Sequence, residues 1–201
     1  MHIIPTHLTQ SSHQSFGLLY PAHMLQKLGW EVEQLRALED HLDIRCVYQS
    51  INCALSAWHM TDWVFQFMTE AQREKYTPQS AESLLFKIAA ATPDTSKWFK
   101  LRGDLMQAQL KIFRTRAQQA SPAVRICRYI ADASKHRYLT SNPDPKLHAT
   151  VINWQPEESG KWTLPLVIDH GKEYRMPQLM ASAHRFWSRY VNWQTRASEK
   201  K

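Results

Sequence analysis

The chain contains little glycine and cysteine and no long apolar run. Only 5 of its 201 residues are glycine and 10 are proline, which argues against a loop-rich, sandwich-like or disordered chain. No window of about 18 apolar residues occurs, so no transmembrane helix is expected. Residues 1–16 lack the charged start and apolar stretch of a signal peptide. Cys46, Cys53 and Cys127 form no CxxC pair. We therefore expect a cytoplasmic protein without membrane contact, its thiols free and mostly buried.

Motifs that identify common enzyme classes are also missing. The chain has no glycine-rich phosphate loop, no GxSxG and no HExxH. We expect no metal and no cofactor. The formal net charge is +7, which favours a polyanionic partner such as nucleic acid. The positive residues are dispersed, however, and no run of five Lys or Arg occurs.

The hydrophobic pattern predicts one mainly α-helical domain over residues 1–201. Residues 1–19 are polar and are expected to be irregular, and a bundle of about five to six helices should follow over 20–140. Segments rich in β-branched residues predict a small antiparallel meander over 146–176, before a closing helix at 177–195. The individual bundle helices are predicted at 21–41, 45–71, 78–91, 95–119 and 122–139.

The segment 45–71 has no Gly or Pro and is apolar on nearly every side, so it should form a buried central helix. One narrow stripe along it is polar. This stripe contains Asn52, Ser56, His59, Trp63 and Gln66, with Asp62 at its edge. Buried polar groups need partners, so the stripe is either a hydrogen-bonded seam in the core or one wall of a cleft.

A second polar stripe lies on the predicted helix 122–139, where Arg125, Arg128, Asp132, Lys135 and His136 share one side. One interpretation is a solvated face with charge pairing at i,i+3 and i,i+4. The other is an anion-binding, acid–base cluster. Arginine presents a planar fork of donors that suits phosphate, and histidine exchanges protons near neutral pH. Asp132, four residues before His136, could orient the imidazole.

At these two helices the chain resembles a known family. AWHMTDW (57–63) together with ICRYIADASKHRYL (126–139) is similar to a group of bacterial helical-bundle proteins that are HEPN-like. The likeness covers roughly residues 20–140, and the β segment with the final helix resembles the C-terminal part of that group. It implies a helical bundle, often a homodimer. Many HEPN proteins are metal-independent endoribonucleases in toxin–antitoxin or phage-defence systems, and others bind RNA or nucleotides without catalysis. The family's motif has four to six residues between Arg and His, whereas seven separate Arg128 from His136.

The resemblance implies roles for residues of both stripes. His136 would activate the ribose 2′-hydroxyl or protonate the leaving oxygen, Arg128 would stabilise charge on the phosphorane, and Asp132 would set the histidine tautomer. The residues assigned to substrate binding are Arg125, Lys135, His59, Asp62 and Asn52.

Two alternatives remain open at this point. The chain could be a non-catalytic interaction or regulatory protein, such as an antitoxin or defence component, with the two stripes bonded to each other inside the fold. It could instead be a small-molecule enzyme with an apolar pocket lined by Trp58, Trp63 and His59.

Overall fold

A computed structural model describes residues 18–38, 44–93, 95–135, 146–151 and 165–198. Over these ranges the chain forms seven α-helices and one three-stranded antiparallel sheet before the last helix. The predicted fold class, a mainly helical bundle with a small β meander before its closing helix, is confirmed. The elements are α1 (Pro21–Ala37), α2 (Ile44–Gln66), α3 (Glu70–Glu74), a 3₁₀ turn (Gln79–Ala81), α4 (Glu82–Ala90), α5 (Ser96–Ala120), α6 (Pro122–Lys135), β1 (Leu147–Val151), β2 (Pro165–Asp169), β3 (Lys172–Arg175) and α7 (Met176–Ser198).

Helix α2 is the central element of the bundle. It packs against α1, α6 and α7, and also contacts α5 and β2. Cys53, Ala57 and Met60 on its inner faces are fully buried, as expected for an apolar helix. Asn52 and Gln66, at the two ends of the polar stripe, are exposed.

Helix α7 closes the core against α2. The indole of Trp187 is fully buried, and its Nε1 donates a hydrogen bond to the backbone oxygen of Ala57 at 2.8 Å. Phe113 of α5 lies 6.4 Å from the same indole, measured between ring centroids. A buried indole needs both apolar neighbours and an acceptor for its N–H, and α2 and α5 supply them.

Local capping decides where several helices begin and end. The central helix was predicted to run to residue 71, but α2 ends at Gln66. Thr69 and Gln72 form a capping box that starts the separate helix α3, because their side chains bond to each other's backbone N–H. Ser121 accepts a hydrogen bond from the N–H of Val124, and Pro122 follows it as the first residue of α6.

Two other predicted helices also differ from those in the structure. Helix α1 ends at Ala37 rather than near residue 41. The predicted helix 78–91 is a 3₁₀ turn followed by α4. The predicted stretches 1–17, 136–145 and 152–164 lie outside the described residues.

The sheet places a buried carboxylate next to α6. The strand order is β1-β2-β3, and Asp169 pairs with Leu147 on one side and with Lys172 on the other. His170 and Gly171 form the tight turn between β2 and β3, with φ of 51° and 80°. Asp169 therefore stands at the end of β2, where its side chain meets Arg125 of α6.

Candidate nucleic-acid interface

Two arginines from different helices converge on one tryptophan of α2. The guanidinium carbon of Arg114 (α5) lies 5.5 Å from the Trp58 ring centroid, and that of Arg128 (α6) lies 6.0 Å from it. Trp58 is only 8% exposed. At such distances the cations are attracted to the ring by a cation–π interaction. The two guanidiniums thus form part of the cover over this tryptophan.

Hydrogen bonds connect the same three helices around Trp58. Arg114 Nη2 donates to Asp62 Oδ1 at 2.5 Å. Gln118 Nε2 donates to the backbone oxygen of Arg114 at 3.0 Å, and Gln118 Oε1 accepts from Arg128 Nη1 at 3.0 Å. Arg128 Nε also faces Asp132 Oδ2 at 3.4 Å. We call this group the tryptophan–arginine cluster; its members are Trp58, Asp62, Arg114, Gln118, Arg128 and Asp132.

The cluster holds two full positive and two full negative charges, so its own net charge is zero. Its charged groups are only partly shielded from solvent: the side chain of Arg128 is 48% exposed and that of Asp62 is 38% exposed. The Nε of Arg114 is buried and has no hydrogen-bond partner among the described residues. The cluster therefore presents guanidinium donors at the protein surface, and each arginine is paired with a carboxylate of its own, Arg114 with Asp62 and Arg128 with Asp132.

A row of cations leads along α5 to this cluster. Residues 97, 100, 104, 107, 111, 114 and 118 fall within an arc of about 100° at the helical repeat. Asp104 is the one acidic residue on this face of α5. Lys97, Lys100 and Lys111 are exposed. With Arg114 and Arg128 they form what we call the basic stripe, and the α5 part of it spans about 26 Å.

The predicted site residues that the structure describes do not lie together in one site. Arg128, Asp132 and Asp62 belong to the tryptophan–arginine cluster. Asn52 is exposed on α2, and His59 is half-buried there. Lys135 ends α6, with its side chain outside what the structure describes, and His136 lies outside the described residues.

Arg125 bonds to the sheet. Its Nη2 donates to Asp169 Oδ2 at 2.5 Å, while His170 Nδ1 lies 2.9 Å from Asp169 Oδ1. Burial of Asp169 acts to raise its pKa, but the hydrogen bonds from His170 and Arg125 outweigh burial and hold the pKa below its ordinary value. Asp169 is thus a buried anion that fixes α6 to the sheet, and sequence periodicity gave no signal of it.

One member of the first polar stripe bonds toward α1. Lys27 Nζ donates to Ser56 Oγ at 2.6 Å and also pairs with the buried Glu31. Burial, together with the charge of Glu31, raises the pKa of the neighbouring Cys53 to about 12. Ser56 therefore joins two helices inside the fold, whereas Asp62 on the same stripe bonds to Arg114 at the cluster. The first polar stripe therefore forms neither a continuous hydrogen-bonded seam in the core nor a continuous wall of a cleft.

A largely apolar cleft of about 270 Å³ opens between α2, α6 and the sheet. Val47, Ile51, Ile130 and Leu166 contribute to its lining. Trp58, Trp63 and His59 do not line it, so this cleft is not the pocket expected for a small-molecule enzyme.

Sequence reasoning missed Lys97, Lys100, Lys111, Arg114 and Gln118 as site residues. The signal was present, because the predicted helix 95–119 already contained the spacing that aligns its lysines. The position of Arg128 beside this face of α5 depends on how α5 and α6 pack, and helical periodicity does not predict that packing.

Comparisons with family models, curated proteins and solved structures found no match to this chain. Among the described residues, no helix has both the length and the apolar character needed to cross a membrane. Over the same ranges, no three His, Cys, Asp or Glu side chains lie close enough together to hold a metal ion.

Proposed function

We propose that this protein binds RNA through the basic stripe. The observation that supports the proposal is the alignment of Lys97, Lys100, Lys111 and Arg114 on one face of α5, with Arg128 of α6 at its end. The three lysines are exposed. A row of cations about 26 Å long suits the backbone of a short single strand, since small folds that bind single strands cover about four or more nucleotides.

The chemistry of the stripe favours phosphate recognition over base recognition. Lysine ammonium groups neutralise phosphates and thereby release counter-ions. Binding of this kind does not depend on the base sequence. Trp58 is covered by its arginines and does not offer a free face for base stacking. We therefore expect strong salt dependence and little sequence preference.

RNA cleavage is a further proposal that rests on the HEPN-like resemblance. In it His136 transfers the proton, and Arg128 stabilises the negative charge that develops on the phosphorus centre. The contact between Arg128 and Asp132 supports a role for this pair in positioning. Incubation of mixed RNA with the protein and with His136→Ala across pH 6–8 tests it. Equal RNA integrity in all samples would reject cleavage and leave binding as the function under test.

Binding is tested with a fluorescently labelled single-stranded RNA by anisotropy. The variant Lys100→Gln/Lys111→Gln removes two exposed charges from the stripe and should weaken binding by about tenfold near physiological salt. Arg185→Gln/Arg189→Gln is the matched control, because it removes the same charge from exposed positions on α7. Equal losses in both variants would indicate attraction by net charge alone and would reject the stripe as the binding site.

A further inference from the structure

An exposed aromatic ring lies beside the basic stripe near the start of α5. The side chain of Phe99 is 57% exposed, and Lys100 of the stripe follows it directly. The ring centroid of Phe99 lies 5.1 Å from that of the half-buried Trp98, and the two rings are nearly perpendicular, at 84°. The guanidinium carbon of Arg102 lies 4.9 Å from the Trp98 centroid and covers that ring. Phe99 is therefore the ring of this pair that is open to a ligand.

A glycine leaves open space between this ring and the stripe. Phe99 and Gly103 begin a row of residues spaced four apart along α5, and the row continues through Gln107 to Lys111 of the stripe. Glycine is a poorer helix former than alanine. Packing does not require it here, because a methyl group at 103 would meet no heavy atom of the described residues within 4 Å, apart from its neighbours along α5. Gly103 therefore keeps open a flat patch of helix surface next to the Phe99 ring.

We propose that an unpaired base of the bound RNA stacks on Phe99, above the open surface at Gly103. The proposal rests on the proposed RNA binding and adds a base-binding site to the basic stripe. Bases stack on aromatic side chains whatever their identity, because every base has a π-face. An aromatic ring beside a row of cations is the combination by which proteins hold single strands without sequence preference.

The lysines next to Phe99 are placed to bind the phosphates that flank this base. Lys97 and Lys100 lie within about 3 Å of Phe99 along the helix axis. Both lysines are exposed, and their flexible four-carbon stems let the ammonium groups reach a phosphate on either side of the ring. One nucleotide can therefore use the ring and the cations together.

A base site of this kind restricts the partner to RNA with unpaired bases. In a duplex the bases are stacked on one another, and only their edges face the grooves. A duplex can therefore bring phosphates to the lysines of α5 but cannot place a base on Phe99. A single strand, or a loop, can turn a base outward and stack it on an aromatic ring.

Replacement of the ring tests the site. Phe99→Leu removes the aromatic face but keeps an exposed apolar side chain, and should weaken the binding of a labelled single-stranded RNA by about tenfold in anisotropy titrations. Phe86→Leu is the matched control, because Phe86 is 76% exposed but lies on α4, and this variant should bind as the wild type does. A duplex of the same sequence should bind equally well to the wild type and to Phe99→Leu.

Inorganic polyphosphate separates this proposal from the basic stripe itself, because it carries phosphates without bases. Lys100→Gln/Lys111→Gln should weaken the binding of both polyphosphate and RNA, whereas Phe99→Leu should weaken that of RNA alone. RNA binding that is lowered by the lysine variant but not by Phe99→Leu would overturn base stacking and leave the stripe in place. Equal losses for RNA and polyphosphate in Phe99→Leu would also overturn it. RNA binding that neither variant changes would reject the stripe and the base site together.

Substitution of Gly103 provides an independent test. Gly103→Leu places a large side chain in the open space, where it blocks the base, and should weaken RNA binding about as much as Phe99→Leu does. Gly103→Ala adds only a methyl group and should bind RNA as the wild type does. Leucine and alanine are better helix formers than glycine, so both variants should raise the melting temperature, which separates a loss of binding from unfolding. Unchanged RNA binding by Gly103→Leu would overturn the proposal.

Discussion

Replacing Asp62 with Asn should strengthen RNA binding rather than weaken it. Sequence reasoning assigned Asp62 to substrate binding, but in the structure its carboxylate accepts a hydrogen bond from Arg114 at 2.5 Å. A phosphate that binds Arg114 must compete with this carboxylate and is repelled by it. Asp62→Asn removes the negative charge at nearly constant side-chain volume and leaves an oxygen that still accepts a hydrogen bond.

The size of the effect follows from the position of the pair. A phosphate on the far side of the Arg114 guanidinium would lie about 6 Å from Asp62, where the repulsion is about 0.7 kcal/mol in water and about 3 kcal/mol at an effective dielectric constant near 20. Arg114 is 34% exposed and Asp62 is 38% exposed, so the lower part of that range applies. We expect binding to tighten about three- to tenfold. The fold should lose at most about 1 kcal/mol, as for other ion pairs near the surface.

Glu70→Gln provides the matched control. Glu70 accepts a hydrogen bond from Arg102 at 2.5 Å, and Arg102 is on the side of α5 opposite the stripe. Both variants lose one negative charge and one arginine–carboxylate pair, so they differ in location alone. Anisotropy titrations of both variants with the same labelled RNA give the comparison. Weaker binding by Asp62→Asn, or equal tightening in both variants, would refute the competition between Asp62 and phosphate for Arg114.

Two further predictions concern the fold around the site. Trp187→Phe should lower the free energy of unfolding by about 2–3 kcal/mol in urea titrations, because it shrinks a fully buried side chain and removes the hydrogen bond to Ala57; no loss would contradict the central position of this indole. The lowered pKa of Asp169 means that its ionised form stabilises the fold above the unfolded value of about 3.9, and that this contribution is lost as the pH falls through the folded pKa. The stability difference between wild type and Asp169→Asn should therefore be constant near pH 5–6 and shrink below about pH 4, and a difference that grows on acidification would contradict the bonds from Arg125 and His170.

Much of the fold could be predicted from periodicity because the helices are long and strongly patterned. The start of α6 at Pro122 and the meander before α7 follow from local residue preferences. The break after Gln66 could not be predicted in this way, because the segment 45–71 contains no Gly or Pro to mark it. The capping box of Thr69 and Gln72 starts a new helix there. Such a cap contributes only about 1 kcal/mol, and a search for apolar periodicity does not detect it.

The candidate site was predictable only in part. The sequence placed Arg128 and Asp132 together because they are four residues apart on one helix, and they are in contact. It could not bring Arg114 to Asp62, since 52 positions separate them and their contact depends on the packing of α5 against α2. It also placed Arg125 with Arg128 on one face, whereas the buried Asp169 of β2 holds the Arg125 side chain.

The salt dependence of RNA binding tests the basic stripe most directly. The logarithm of the association constant falls linearly with the logarithm of the salt concentration, and each phosphate contact with a single strand contributes about −0.7 to the slope. The five cations of the basic stripe therefore predict a slope of about −3.5 for the wild type. Lys100→Gln/Lys111→Gln should reduce the steepness by about 1.4, and Arg185→Gln/Arg189→Gln should leave the slope unchanged. A wild-type slope near zero, or one that both double variants change equally, would contradict RNA binding along α5.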